Sequence, residues 1–201
     1  MRLDKLATIN TGLVTARKQA KWKDENTIKY KSINLKVIND KGYIEDSLIE
    51  EFQATEKIKP LYLTQSGDII VRLTYPFTAV LIDELHKGLI IPSHFVIIRV
   101  NKEKLLPEYL YWLLNTEKIK QKLQQNISST IIGTVKPKSY AELDIETINL
   151  EEQLKIGELN MLAKKELKLL VQIIDQKEKY YKEAIDRIQK EMREKNENNK
   201  K

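Results

Sequence analysis

No cysteine occurs in the 201 residues. That removes disulfides, thiolate metal sites and a cysteine nucleophile at one stroke. Histidine is nearly as scarce: His86 and His94 are the only two. Neither has a third ligand at metal spacing, so each reads as an ordinary loop or core residue. No run of about 18 apolar residues exists, so no membrane span is expected. Met1-Arg2-Leu3-Asp4-Lys5 lacks the apolar stretch of a secretory signal. The expected compartment is the cytoplasm. Gly-rich phosphate loops, dinucleotide fingerprints and a Gly-x-Ser-x-Gly elbow are all missing. Acidic residues are plentiful but fall on helical stretches, where a solvated face is the default. The chain is expected to carry no catalytic centre of its own.

What is present is charge and periodicity. Hydrophobic residues make up 41% and charged residues 32%, with a net charge of +6. The length suits one ordinary domain plus an appendage. The basic excess is a mild lean towards a polyanion. The segment from Glu151 onward is nearly balanced, so most of the excess lies before it. Arg17, Lys18, Lys21, Lys23, Lys29 and Lys31 cluster there, against Asp24 and Glu25.

From about Leu150 the chain has no Pro, a single Gly at Gly157, and a density of Glu, Lys, Leu, Gln and Ala. Ile156, Leu159, Ala163, Leu167, Leu170, Ile174, Tyr181, Ile185, Ile188 and Met192 recur at steps of three or four, one stripe of one helix. Lys177 interrupts the stripe, and Glu166 lies near it. At 1.5 Å per residue the rod is on the order of 60 Å long. One small core cannot cover such a stripe, so a partner helix is expected, either a second copy or another chain. Asn149 reads as the N-cap, with Glu151 and Glu152 in the first turn. Gly157 reads as a bend at the base. The polar tail 194–201 is expected to be disordered.

Upstream, Leu3–Ile9 reads as a short helix or lead-in strand ended at the Asn10-Thr11-Gly12 turn. Ile28–Ile33 alternates as a strand, and Tyr43–Phe52 is a weaker strand candidate. The clearest β region runs from Leu61 to Val100, with strands at Ile69–Thr74, Thr78–Ile82 and Phe95–Val100. Tight turns between them favour antiparallel pairing in a meander or barrel-like sheet. Thr74-Tyr75-Pro76-Phe77 superficially resembles the Asn-Pro-Pro-Tyr motif of amino-methyltransferases. It lacks the Asn and the second Pro, so it reads as a strand break. Pro107-Glu108 opens a helix whose apolar face runs from Tyr109 to Leu123. The loop Ser128–Lys138 is rich in small polar residues, and Leu143–Ile148 reads as a last short strand. The class is therefore α+β: a mixed, mainly antiparallel-sheet domain over 1–149, then a long helix over 150–193.

Two polar segments carry the functional signal. The Arg17–Lys31 cluster suits phosphates or is simply a solvated surface. Ser128–Lys138 offers donors and acceptors suited to phosphates or base edges, or is a flexible connector. Trp22 reads as core packing before base stacking.

The order of motifs resembles one half of the DNA-specificity subunit of type I restriction-modification systems. Lys5–Gly12 resembles the opening of a target recognition domain. Leu63-Thr64-Gln65-Ser66-Gly67-Asp68-Ile69-Ile70 is similar to the family's Gly-Asp-Ile-Leu strand start. Pro92–Arg99 is similar to its Ser…Phe…Arg strand, and Pro107–Leu114 to its helix. Leu150-Glu151-Glu152-Gln153-Leu154-Lys155-Ile156 resembles the start of its conserved helical region. Two departures stand out. Ile145–Asn149 lacks the prolines usual before the Glu-Glu-Gln step, and family members carry two recognition domains and two helical regions where this chain has one of each.

The resemblance implies that the domain reads a few base pairs of double-stranded DNA. It implies that the long helix pairs antiparallel with its counterpart, here a second copy, to give an antiparallel coiled coil and a palindromic, interrupted target. Modification (methyltransferase) subunits using S-adenosylmethionine, and restriction subunits using ATP and Mg, would be partners. No cofactor is expected on this chain. By polarity and loop position the candidate DNA contacts are Arg17, Lys18, Lys21, Lys23, Arg72, Tyr75, Ser129, Thr130, Thr134, Lys136 and Lys138. The alternative is a non-catalytic coiled-coil adaptor or decoy that occupies a methyltransferase's subunit site without DNA readout. An undetected enzyme is a third reading.

Overall fold

A computed structural model describes residues 1–20, 27–125, 127 and 133–198. It forms two compact units, Met1–Glu158 and a second that begins at Leu159.

Among the described residues the first unit is built on six short strands: β1 (Ala7–Thr11), β2 (Ile28–Ser32), β3 (Glu50–Ala54), β4 (Ile69–Arg72), β5 (Ala79–Leu81) and β6 (Phe95–Val100). Four of them form one sheet in the order β1-β6-β4-β5, every neighbour antiparallel. β2 and β3 form a separate antiparallel ribbon, with Lys31 opposite Glu51 and Lys29 opposite Gln53. Antiparallel pairing is as expected, but the sheet is not a meander. Its central strand β6 pairs on one side with β1, some 90 residues earlier, and on the other with β4.

The apolar runs of β4 and β6 are unbroken because both faces of the sheet are covered. Side chains alternate between faces. Ile69, Val71, Val96 and Ile98 pack against α1 (Pro107–Leu114), α2 (Glu117–Gln125) and α3 (Pro137–Ala141). Ile70, Val80, Phe95 and Ile97 pack against Ile33, Val37, Ile38 and Ile91. A third cluster, Leu13, Phe52, Ala54, Ile58 and Ile90, lies against the β2–β3 ribbon.

Local differences from the sequence reading have identifiable causes. The helix expected from Pro107 to Gln124 breaks at Asn115-Thr116. There the Asn115 amide bonds both the N–H and the C=O of Ala79, each at 3.1 Å, and so satisfies the edge strand β5 instead of continuing the helix. Tyr43–Phe52 is a strand only from Glu50. Leu143–Ile148 is not a strand; it is tied to the N-terminal segment by a β-bridge between Arg2 and Asp144 and by the Met1 ammonium, which donates to the Asp144 carboxylate and the Ile145 carbonyl. Part of the expected 128–138 loop is helical, since α3 begins at Pro137.

The final helix α4 spans Leu150–Asn198 without interruption, past the expected boundary at 193. Asn149 caps it, its side-chain oxygen accepting from the Glu152 N–H at 2.9 Å. Gly157 lies against α1. A Cβ there would stand 2.7 Å from the Glu108 Cβ, so glycine is required by the close approach of α1. Gln153, 1% exposed, accepts from the Leu106 N–H and donates to the carbonyls of Lys104 and Ile148. Ile156 packs against the first core cluster, so the exposed part of the expected stripe begins at Leu159.

In the second unit the helix stands with its apolar side chains exposed, among them Leu159, Leu167, Leu170, Ile174, Tyr181, Ile185 and Ile188. Ala163 is exposed as well. Leu162, Leu169, Ile173 and Tyr180 are also exposed. At 100° per residue they flank the expected stripe and widen it to an arc of roughly 160°. No helix among the described residues is long and apolar enough to cross a membrane.

Candidate nucleic-acid interface

In the four-stranded sheet β1 and β4 both run antiparallel to β6. The C-terminal ends of β1 and β4 therefore lie at the same edge as the N-terminal ends of β5 and β6. Four loops meet there. The Gly12 N–H bonds the Phe95 carbonyl at 3.0 Å, and the Leu13 N–H bonds that of Ile91 at 2.7 Å. A Cβ on Gly12 would fall 2.1 Å from the Pro92 carbonyl oxygen, so only glycine lets these backbones touch. The Leu73 N–H bonds the His94 carbonyl, the Val135 N–H bonds the Leu73 carbonyl, and Thr74 pairs with Thr134. Segments 12–13, 73–78, 92–94 and 133–136 thus meet at one end of the sheet, while 18–20 runs on to pair with 53–55 at the end of β3. The base of α4 is fixed by Gln153 to the segment after β6, at the opposite strand ends.

Of the expected contact residues that are described, Tyr75, Thr134 and Lys136 lie in these segments, and Arg17 and Lys18 follow shortly after Gly12. Arg17, exposed, closes a 3-10 turn, Thr15–Arg17, just after Gly12. Lys18 follows, half-buried and paired with Glu56, and that pairing holds the Glu56 carboxyl below its ordinary range. Tyr75 is 69% exposed, its ring standing edge-on to the fully buried Phe77 at 6.0 Å. Phe77 has a φ of 55°, so Thr74–Phe77 is a tight break in the strand, as expected. Thr134 is half-buried in its bridge, while Lys136, just before α3, is exposed. Lys138 is exposed and 3.7 Å from Glu142. Lys21, Lys23, Ser129, Thr130 and Trp22 lie outside the described residues.

Arg72 departs from the expectation. Its guanidinium is only 13% exposed, donates to the carbonyls of Leu35 and Ile38, and pairs with Asp40 at 3.2 Å. It ties β4 to the 35–40 loop and has no free fork to offer a phosphate. The backbone carbonyl of the same residue accepts from the buried Tyr140 hydroxyl at 2.9 Å, which anchors α3.

His94, which the sequence reads as an ordinary loop or core residue, lies among these segments. It is exposed on this surface, with its ring 5.6 Å from that of Phe95. Partial burial lowers its pKa and so favours the neutral imidazole, which can donate at one nitrogen and accept at the other. Its place at the start of a strand beside Pro92-Ser93 was the only available signal. The other histidine does structural work: His86 sits between Asp83 at 2.6 Å and Asp46 at 2.8 Å and clamps two loops. Among the described residues no group of acidic and His side chains is placed to hold a metal ion.

A surface of this kind can do two things. Exposed Lys and Arg give salt-dependent contact with phosphates. Tyr75, Thr134 and His94 present a flat ring, a hydroxyl and an imidazole, the groups that read base edges or stack on bases.

The fold is that of one half of an S subunit of type I restriction-modification systems. An HsdS subunit from Thermoanaerobacter tengcongensis superposes with a TM-score of 0.64 at 21% identity, over 85% of this chain and 43% of that one. A chain from a structural study of complex assembly and conformational transition of the type I R-M system matches at 0.64 and 20% identity, with the same coverage. The S subunit from M. genitalium matches at 0.56 and 18% identity, over 87% of this chain and 41% of that one. The matched part of this chain therefore covers less than half the length of each of those chains. No protein-family model and no curated protein matches it.

Proposed function

We propose that this chain is a sequence-specific DNA-recognition subunit of a type I restriction-modification system. It is a non-catalytic cytoplasmic component that reads one half-site of a bipartite target, acts as a homodimer through α4, and docks modification subunits. The observation that carries this reading is the S-subunit fold over 85% of the chain. Two others support it: the gathering of the segments that carry Tyr75, His94, Thr134 and Lys136 at one end of the sheet, with the exposed Arg17 five residues after Gly12, and the wide apolar arc on α4. S-adenosylmethionine then belongs to the modification subunits, and ATP and Mg to the restriction subunits.

The test is selection from a random duplex library by the purified chain with its modification subunit, followed by anisotropy titrations over a salt series. A recovered interrupted palindrome, bound well above random duplex, is the expected result. If no sequence is enriched while the methyltransferase still co-purifies, the chain is the adaptor or decoy instead.

A further inference from the structure

Glu166 and Lys177 are the two charges in the middle of the apolar arc of α4. The residues three and four positions either side of Glu166 are Leu162, Ala163, Leu169 and Leu170. Those around Lys177 are Ile173, Ile174, Tyr180 and Tyr181. Neither charge has an opposite charge at helical spacing, although the same helix carries such pairs elsewhere, as at Lys155–Glu151 and Lys179–Glu183. Both are exposed in the single chain.

We infer that α4 pairs with a second copy of itself in one antiparallel register, with Glu166 of each copy facing Lys177 of the other and the two-fold axis passing between Val171 and Gln172. This rests on the homodimer proposed above and specifies its interface. In a parallel pair Glu166 would face Glu166 and Lys177 would face Lys177, two like-charge contacts on the seam. In the antiparallel register each charge meets its opposite, twice by symmetry. Two other seam layers then match large to small, Leu159 with Ala184 and Tyr180 with Ala163, and Leu170 meets Ile173 beside the axis. Sliding one heptad one way sets Glu166 against Leu170 and Lys177 against Leu159. Sliding the other way sets Lys177 against Ile173 and Glu166 against Ala184. Either slide strands both charges on apolar side chains, which costs far more than a paired charge does. A polar pair in an otherwise apolar seam fixes register and partner direction at some loss of stability. The two Leu159 positions then lie roughly 40 Å apart along the pair.

The test is charge reversal in the full chain, read by sedimentation equilibrium. E166K and K177E should each weaken the dimer by roughly tenfold or more, since each variant sets two like charges together. The E166K/K177E double variant should recover wild-type dimerisation, and an equimolar mixture of the two single variants should form a one-to-one heterodimer. Because the chain has no cysteine, A163C/Y180C should give a covalent dimer on oxidation. The register is overturned if the single variants dimerise as tightly as wild type, if the double variant fails to recover, or if the cysteines do not link. A wild-type chain that is monomeric at micromolar concentration, with α4 occupied by a modification subunit, overturns the self-pairing itself. Library selection of DNA separates these failures from failure of the recognition role.

Discussion

Asp68 and Arg99 meet as a two-pronged ion pair between adjacent strands. The Arg99 Nε lies 2.8 Å from Oδ1 and its Nη2 3.0 Å from Oδ2, with the Asp68 side chain only 4% exposed. Asp68 Oδ2 also accepts from the Gln65 N–H, and Arg99 reaches the Leu63 carbonyl. The pair therefore locks the turn before β4 onto the end of β6. Asp68→Asn should cost about 2–4 kcal/mol, because it leaves a largely buried guanidinium without its counter-ion. Urea denaturation checks this, and a midpoint unchanged from wild type would show that the pair holds nothing.

That contact explains much of what was legible in the sequence. Gly67-Asp68 and Arg99 belong to two motifs far apart in the chain, each weak alone, and the fold needs them together. The strands around them were legible because β-branched runs have a local signature, and so was the Asn149 cap. The strand order was not, because pairing β1 with β6 depends on distant segments with no local mark. Arg72 was misjudged for a similar reason: its partners are backbone carbonyls, which carry no sequence signature. On α4 the count of three- and four-residue steps followed one line of apolar residues. It missed the flank at Leu162, Leu169, Ile173 and Tyr180, which only a full helical projection shows.

Gly157→Ala tests the seating of α4. In an open helix alanine is worth about 1 kcal/mol over glycine. Here the added methyl would stand 2.7 Å from the Glu108 Cβ and 3.2 Å from backbone atoms of α1. The expected sign is reversed: the variant should lose about 1–3 kcal/mol, the usual cost of overpacking. Thermal melting followed by circular dichroism reads it. A raised melting temperature would mean that α1 gives way freely.

The buried tyrosines set an alkaline limit. Burial raises the Tyr111 pKa to about 12, and its hydroxyl donates to the Gly42 carbonyl at 3.1 Å. Burial raises that of Tyr140 further. Both groups favour the protonated form in the folded chain, so their contribution is full below the unfolded pKa near 10 and is lost as pH rises beyond it. Stability should fall between about pH 10 and 12 by roughly 2–3 kcal/mol for Tyr111 alone. Tyr111→Phe should flatten that slope while lowering stability at pH 8 through the lost hydrogen bond. Denaturant midpoints over pH 8–12 give the comparison.

Lys136 and Tyr75 should separate phosphate contact from base contact on the proposed DNA surface. Lys136 is exposed just before α3, and among the described residues no fold contact depends on its ammonium in the way that β4 depends on Arg72. Lys136→Ala should weaken binding to all duplexes alike and lower the slope of log K against log salt by about one, the signature of one phosphate contact. Tyr75 is 69% exposed and rests edge-on against Phe77. Tyr75→Ala should leave the salt slope unchanged and narrow the gap between target and random duplex, by about 1–3 kcal/mol if the ring stacks on a base. The rigid support under the ring makes Tyr75→Phe a control: stacking survives that change, whereas a hydrogen bond from the hydroxyl to a base edge does not. Equal losses on target and random duplex for Tyr75→Ala would place the ring outside the reading surface.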